Sequence, residues 1–233
     1  EGFITTDFGK DTNSVGYEVA LQQSGKILLT GEVGNISTDP FSNNNYSKFA
    51  LAQYNPDGSL DNLFGVGGKV ITDFGGQLGA SARSESIAIQ TDNKIILAGT
   101  NQPGFALARY NIDGTLDFNF GNAGLVTTKF SSSSQYTYAD GHSVTIQKDG
   151  KIIVVGNISY FDSLGFDLGL ARYNVDGSLD TNFGSNGKVV TNLGGSGQGD
   201  EAHFVTTQSD GKILVAGGRG YDFALVRYNT DGS

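Results

Sequence analysis

These 233 residues contain no cysteine, no methionine and no tryptophan, and only three prolines. Without cysteine there is no disulfide, no thiolate metal ligand and no thiol nucleophile. Three prolines against 35 glycines suit many short strands and tight turns rather than a disordered tail. No apolar run comes near the roughly 20 residues that a spanning helix needs, so no membrane insertion is expected. Positive charge is scarce as well: 15 Lys and Arg stand against 24 Asp and Glu, a net charge of −9. Nucleic-acid binding draws much of its affinity from cations set on phosphates, so the acid excess argues against a nucleic-acid partner. The missing methionine, with an end in mid-motif at Asp231-Gly-Ser, reads as a trimmed or processed piece of a longer parent chain.

What is present is repetition. Phe166 to Gly187 reads FDLGLARYNVDGSLDTNFGSNG, and close copies run from Phe49, Phe105 and Phe223. The asparagines of the YN step are Asn55, Asn111, Asn174 and Asn229, so successive copies stand 56, 63 and 55 residues apart. A second block, VTIQKDGKIIVVG at Val144 to Gly156, has counterparts from Val19, Ile87 and Val205. A third reads GFITT from Gly2, GKVIT from Gly68, GLVTT from Gly124 and GKVVT from Gly187. Three blocks in fixed order, four times over, are an internal repeat, which decides the fold before any single residue is interpreted.

Each block is a strand or a strand pair. VTIQ and KIIVVG are β-branched runs joined by Ser-Gly, Asp-Asn or Asp-Gly, the residues of a tight hairpin. FALARYN and GKVVT supply two more strands, so one repeat is a four-stranded antiparallel meander. The runs are apolar at nearly every position, and a sheet of that kind is covered on both faces. Sheets stacked around an axis meet that demand without helices, which gives an all-β propeller of four-stranded blades. A parallel β-helix and a two-layer sandwich compete; the first has shorter repeats, and the second offers no reason for a period near 60.

The motif ALARYNxDGSLDxxFGxxGxVxT followed by QxDGKIxVxG resembles the delta-60 repeat family of bacterial surface and secreted proteins, whose members are regarded as propellers. It covers essentially the whole chain. The order DGKIxVxG, xYNxDG, FG is also similar, more distantly, to NHL repeats, and that analogy implies the strand order from the axis outward: VTIQ, KIIVVG, FALARYN, GKVVT. We expect one β-propeller domain over 1–233. Its repeats fall at about 10–72, 73–128, 129–191 and 192–233, the last one closed by an outer strand from residues 2–6.

With the strands so assigned, the QxDGK hairpin and the YNxDGSLDxxFG turn share one side, and the connections on the other side differ in every repeat. Glu32 to Lys48, Lys129 to Gly141 and Asn192 to Ala202 are its long stretches. Function sits on loops carried by a rigid scaffold, so that side is the candidate face. Two residues before the first aliphatic of each inner strand stand Tyr17, Glu85, His142 and His203, expected at the mouth of a central channel. His142, His203 and Glu85 would suit a transition metal. The same groups would hydrogen-bond and stack against a sugar, and ordinary rim hydrogen bonds are the plainer reading.

Asn55-x-Asp57-Gly-x-x-Asp61 and its counterparts resemble part of a calcium loop. The first ligand position, however, is filled by Gln53, Arg109, Arg172 or Arg227. A cation there repels calcium, so Arg109 with Asp117 and Arg172 with Asp180 are expected as internal staples. The periodic aromatics Tyr54, Tyr110, Tyr173 and Tyr228, with Phe64, Phe120 and Phe183, read as core between blades. Lys26, Lys94, Lys151 and Lys212 read as residues that keep the hairpin turn solvated.

No GxSxG, no HExxH and no phosphate-cradling glycine loop occurs. The chain is therefore expected not to be an enzyme and to need no cofactor or metal. It reads as an extracellular or cell-surface module holding a protein or glycan partner, or a place in a larger surface assembly, on its loop-rich face. A sugar-binding lectin and a metal-dependent hydrolase or lyase built on His142 and His203 are the alternatives.

Overall fold

The computed structural model describes residues 2–35, 46–75, 81–130, 137–160, 165–194 and 199–233. Among these residues the regular structure is all β, in four sheets. The first blade holds β1 (Thr12–Leu21), β2 (Ile27–Asn35), β3 (Ser47–Tyr54) and β4 (Lys69–Thr72). The second holds β5 (Ala82–Ile89), β6 (Ile95–Asn101), β7 (Gly104–Tyr110) and β8 (Leu125–Thr128). The third holds β9 (Thr137–Ile146), β10 (Ile152–Tyr160), β11 (Phe166–Tyr173) and β12 (Lys188–Thr191). The fourth stops at three strands, β13 (Asp200–Thr207), β14 (Ile213–Arg219) and β15 (Asp222–Tyr228). Every neighbouring pair is antiparallel and follows chain order, as hairpin-joined strands do.

The hairpin between the first two strands of a blade turns on one residue with positive φ. It is Gly25, Gly150 and Gly211 at φ +81°, +83° and +84°, and Asn93 at +64° in the second blade. Asparagine is among the few residues that tolerate this region, which is why TDNK can replace KDGK.

Blades stack through their first strands: β1 lies on β5, β5 on β9 and β9 on β13. Three apolar cores result, one per junction. The first gathers Leu28, Phe49 and Leu51 with Leu97, Ala108 and Tyr110. The second joins Ile96, Phe105 and Leu107 to Val154, Ala171 and Tyr173, and the third joins Ile153, Leu170 and Phe183 to Val205, Val215 and Tyr228. β6 and β7 are buried along their full length, because their blade is covered on both faces. In the two terminal blades, by contrast, one face is open: Val19 and Leu21 of β1 and Phe223 and Leu225 of β15 are exposed.

Each junction carries the same locks. Phe64, Phe120 and Phe183 are buried against Gly114, Gly177 and Gly232 of the following blade, where an added Cβ would meet the ring. The next residue donates its backbone N–H across the junction: Gly65 to Asp113, Gly121 to Asp176 and Gly184 to Asp231. A phenol then meets the threonine that ends the preceding outer strand. Tyr110 Oη lies 2.6 Å from Thr72 Oγ1, Tyr173 Oη donates to Thr128 Oγ1 at 2.8 Å, and Tyr228 Oη to Thr191 Oγ1 at 2.8 Å. Burial pushes the Tyr110 and Tyr173 phenols far above their ordinary range. Tyr173→Phe leaves Thr128 buried without its donor, so we expect a loss of about 1 kcal/mol in urea unfolding with an unchanged denaturant slope.

Closure of the fourth blade by residues 2–6 is not present in this structure. β15 pairs with β14 alone among the described residues, and residues 2–6 lie in no strand. The segment is held at the other end of the arc instead, Thr6 Oγ1 lying 2.7 Å from Tyr54 Oη and Lys69 Nζ reaching the Asp7 carbonyl at 2.6 Å. Of the variable stretches, 36–45, 131–136 and 195–198 lie outside the described residues.

Candidate functional site: the bulge residues of the inner strands

The pairing of first and second strands slips by one residue in every blade. The register passes from Gly16 to Glu18, from Ser84 to Ser86, from Gly141 to Ser143 and from Ala202 to Phe204. The residues skipped are Tyr17, Glu85, His142 and His203. All four residues singled out from the sequence are therefore β-bulges at one position of the repeat. A bulge leaves its extra residue out of the ladder and redirects the side chain, which is how such sites are made on a regular sheet.

Opposite each bulge stands the glycine that ends the KIxVxG block: Gly31, Gly99, Gly156 and Gly217. A Cβ on any of them would run into the carbonyl oxygen of Val15, Arg83, Asp140 or Glu201, respectively. The sequence thus does carry a signal for the bulge, in a glycine that sheet packing alone would not require.

Two of the bulge residues bond directly along the inner edge, and the other two have partners of their own. His142 Nδ1 lies 2.6 Å from Glu85 Oε2, and Arg83 Nε donates to Glu85 Oε1 at 2.5 Å. Arg83 also faces Asp140, with 3.6 Å between Nη2 and Oδ1. The His142 and His203 rings stand 6.0 Å apart, tilted by 48°. His203 Nε2 is 3.0 Å from Glu201 Oε2, and Tyr17 donates to Glu32 Oε1 at 2.9 Å. Burial works to raise the Glu85 carboxyl, but His142 and Arg83 outweigh it and hold the group below its usual range. Burial and the hydrogen bond to Glu32 push the Tyr17 phenol up to about 12, and the charges of Arg83 and Glu85 act on it too. At neutral pH Glu85 is thus a fixed carboxylate beside the Arg83 guanidinium, and Tyr17 is a neutral phenol. Tyr17 and the His203 side chain are about half exposed, whereas Glu85 and His142 are mostly buried.

Asp140 and Glu201 stand out in the sequence as acids two residues before His142 and His203, and His203 does meet Glu201; sequence reasoning missed Arg83 and Glu32, because the bulge decides which side chains face the same way. Among the described residues no group of three or more His, Asp and Glu side chains is placed to hold a metal. Glu85 is spent on Arg83 and His142, and His203 turns to Glu201, so the three expected ligands lie near each other without converging.

The turn that resembles a calcium loop is instead a staple. Asp57, Asp113 and Asp176 each accept from the backbone and hydroxyl two residues on, at Ser59, Thr115 and Ser178. Arg109 Nε and Nη2 reach Asp117 Oδ2 at 2.8 Å each, and Arg172 Nε reaches Asp180 Oδ2 at 2.8 Å. The lysines read as solvating the hairpin are part of this device, a correction to that expectation. Lys26, Lys94 and Lys151 pair with Asp61, Asp117 and Asp180, and only Lys212 turns elsewhere, to Asp210. In the first three blades, then, the hairpin lysine and the turn after the third strand meet over one carboxylate.

Four antiparallel meanders stacked in chain order by their inner strands define a β-propeller repeat protein. The chain belongs to the family described as a domain of unknown function (DUF5122) beta-propeller, which it matches over residues 22–64, 90–120, 147–183 and 208–233. No curated protein matches it. Among solved structures it is similar to virginiamycin B lyase from Staphylococcus aureus, with 15% identity and a TM-score of 0.44 over 93% of this chain and 59% of the lyase. It is also similar to an exo-1,5-alpha-L-arabinanase from a bovine ruminal metagenomic library, with 13% identity and a TM-score of 0.49 over 92% of this chain and 75% of that one. The chain spans about three fifths of the length of the lyase. The expectation that the chain is not an enzyme is corrected by these likenesses: both proteins are enzymes by name, so the architecture is no argument against catalysis.

Proposed function

We propose that the chain is a secreted or cell-surface binding module that holds a glycan or protein partner on the inner edge and loops of its variable face. The observation that carries this reading is the row of four bulge residues, one from each blade. It is rigidly placed by the sheets, polar, and open to solvent at Tyr17 and His203. The half-exposed Glu201 carboxylate accepts hydroxyl or ammonium hydrogen bonds, and the half-exposed His203 imidazole offers a stacking face. The loops around the row differ from blade to blade, so one shared site fits better than a repeated sugar site in each blade. The finer resemblance of the repeats to delta-60 proteins of bacterial surfaces supports a place outside the cell.

Glycan-array binding followed by titration calorimetry tests this. Tyr17→Phe combined with His203→Ala, both at half-exposed positions, is expected to weaken a captured ligand by at least tenfold, about 1.4 kcal/mol, with the unfolding midpoint nearly unchanged. A ligand that binds both proteins equally sinks the assignment of this edge.

A further inference from the structure

The glutamines that open the QxDGK hairpins are not all satisfied. In the first blade the Gln22 side-chain oxygen accepts from Gln53 Nε2 at 3.0 Å. The later blades carry Arg109, Arg172 and Arg227 where the first has Gln53, and Arg109 and Arg172 turn to Asp117 and Asp180 instead. Gln90, Gln147 and Gln208 each keep a side-chain oxygen that is buried and meets no donor among the described residues. A buried acceptor without a donor is costly, so its recurrence at one position of the repeat needs a cause.

Two of the three, Gln147 and Gln208, stand in the walls of a cavity of about 430 Å³ between the hairpins of the third and fourth blades. The junction there is built like the one before it. Arg172 Nη1 donates to the Thr230 carbonyl as Arg109 Nη1 does to that of Val175. Gly211 lies against Thr230 as Gly150 lies against Val175, an added Cβ on either glycine standing 3.1 Å from the neighbouring methyl carbon. The cavity therefore belongs to two packed hairpins. It lies apart from the bulge residues, since Gln147 comes just past the end of β9 and His142 stands within that strand.

The chemistry of the walls selects the ligand. Lys151 and Arg172 are both spent on Asp180, and Asp210 is spent on Lys212. That leaves Lys148, which donates to the Ser209 carbonyl at 3.2 Å, and Asp149, which accepts from the Lys151 backbone. One charge of each sign gives the cavity no net pull on an ion, and unfilled carbonyl oxygens call for donors, which an anion lacks. No aromatic ring is among the residues that line it, so a flat base or ring finds no stacking face. We propose that this cavity is a second ligand site, for a neutral polyhydroxy compound such as a sugar, whose hydroxyls donate to Gln147 and Gln208 as the two amides turn toward it. A hydroxyl also accepts, so Lys148 and the hydroxyls of Thr207 and Ser209 bind the other oxygens of the same ligand. The volume is that of a small-molecule site, which runs from about 300 to 1,000 Å³. This site and the inner edge stand on separate observations, and neither reading needs the other.

Nuclear magnetic resonance on nitrogen-labelled protein tests this, with glucose, galactose, maltose and lactose as neutral probes and glucosamine and glucuronate as charged ones. At least one neutral sugar is expected to shift the side-chain amide resonances of Gln147 and Gln208 and the backbone amides of Ser209 and Gly211. The same shifts should persist in the chain carrying Tyr17→Phe and His203→Ala, which separates this site from the inner edge. Gln147→Leu combined with Gln208→Leu should weaken the sugar at least tenfold without lowering the unfolding midpoint, because the unpaired oxygens leave with the amides. Three results would overturn the proposal: no shift at these amides with any neutral sugar in large excess, a charged sugar that binds there more tightly than the neutral ones, or a folded double variant that binds as well as the unsubstituted chain.

Discussion

Arg109→Ala is expected to destabilise the protein by about 3 kcal/mol in urea unfolding. Arg109 is 5% exposed and Asp117 3% exposed, and removing one member of a buried ion pair strands the other. Its guanidinium does three things at once. It holds Asp117, it lies over the Phe120 ring at 4.5 Å, and it donates through Nη1 to the Val175 carbonyl of the next blade. Lys94 remains to neutralise Asp117, which keeps the loss near the lower end of the range measured for buried pairs. Arg109→Gln, the residue found naturally at this position in the first blade as Gln53, should recover part of it. There the glutamine donates to Gln22 rather than to the aspartate.

The pH dependence follows from the same carboxylate. Burial would raise the Asp117 carboxyl, but the Lys94 hydrogen bond and the charges of Arg109 and Lys94 hold it below its ordinary value. A carboxyl depressed in the folded state stabilises the fold above the unfolded value of about 3.9, and that stability fades as pH falls through the lower folded value. Asp180 is shifted the same way by Lys151 and Arg172, so the chain has two such groups in its middle blades. Removing Arg109 lets the acid limb of the stability curve begin at higher pH. A limb that does not move would show that Lys94 alone holds the charge.

The repeat made most of this fold legible before any coordinates. Period, turn residues and continuous apolar runs give the meander and its two covered faces, and the pairing of Arg109 with Asp117 follows from a cation sitting where a calcium ligand would be. Other features were not legible, for a physical reason in each case. Lys94 and Asp117 are 23 residues apart in sequence, and only the antiparallel return of the chain shows that hairpin and turn meet over one carboxylate. The hold of the first blade on Thr6 and Asp7 was not legible either, because it rests on contacts between segments 48 and 62 residues apart. The site lies between these extremes. The ring position of Tyr17, Glu85, His142 and His203 could be counted from the motif, but their partners depended on a register slip, and a one-residue slip turns every following side chain to the other face.

That slip leads to the second large effect, expected of Gly156→Ala. The new Cβ would be driven into the Asp140 carbonyl oxygen, which belongs to the backbone of the paired strand and cannot swing aside. We expect a loss at or above the roughly 3 kcal/mol reached by overpacking, with His142 drawn out of its contact with Glu85, visible as a shift of its imidazole resonances. Gly218→Ala is the control. Its Cβ would meet nothing nearer than the Asp222 carbonyl at 3.7 Å, so the change should stay within about 0.5 kcal/mol. If Gly156→Ala matched the control, the bulge could be rebuilt without glycine, and the recurrence of Gly31, Gly99, Gly156 and Gly217 would need another cause. If it behaves as expected, one small residue per blade does two jobs. It lets the first two strands of its blade approach closely at the bulge, and it leaves room for the side chain that each blade puts out of the ladder at the inner edge.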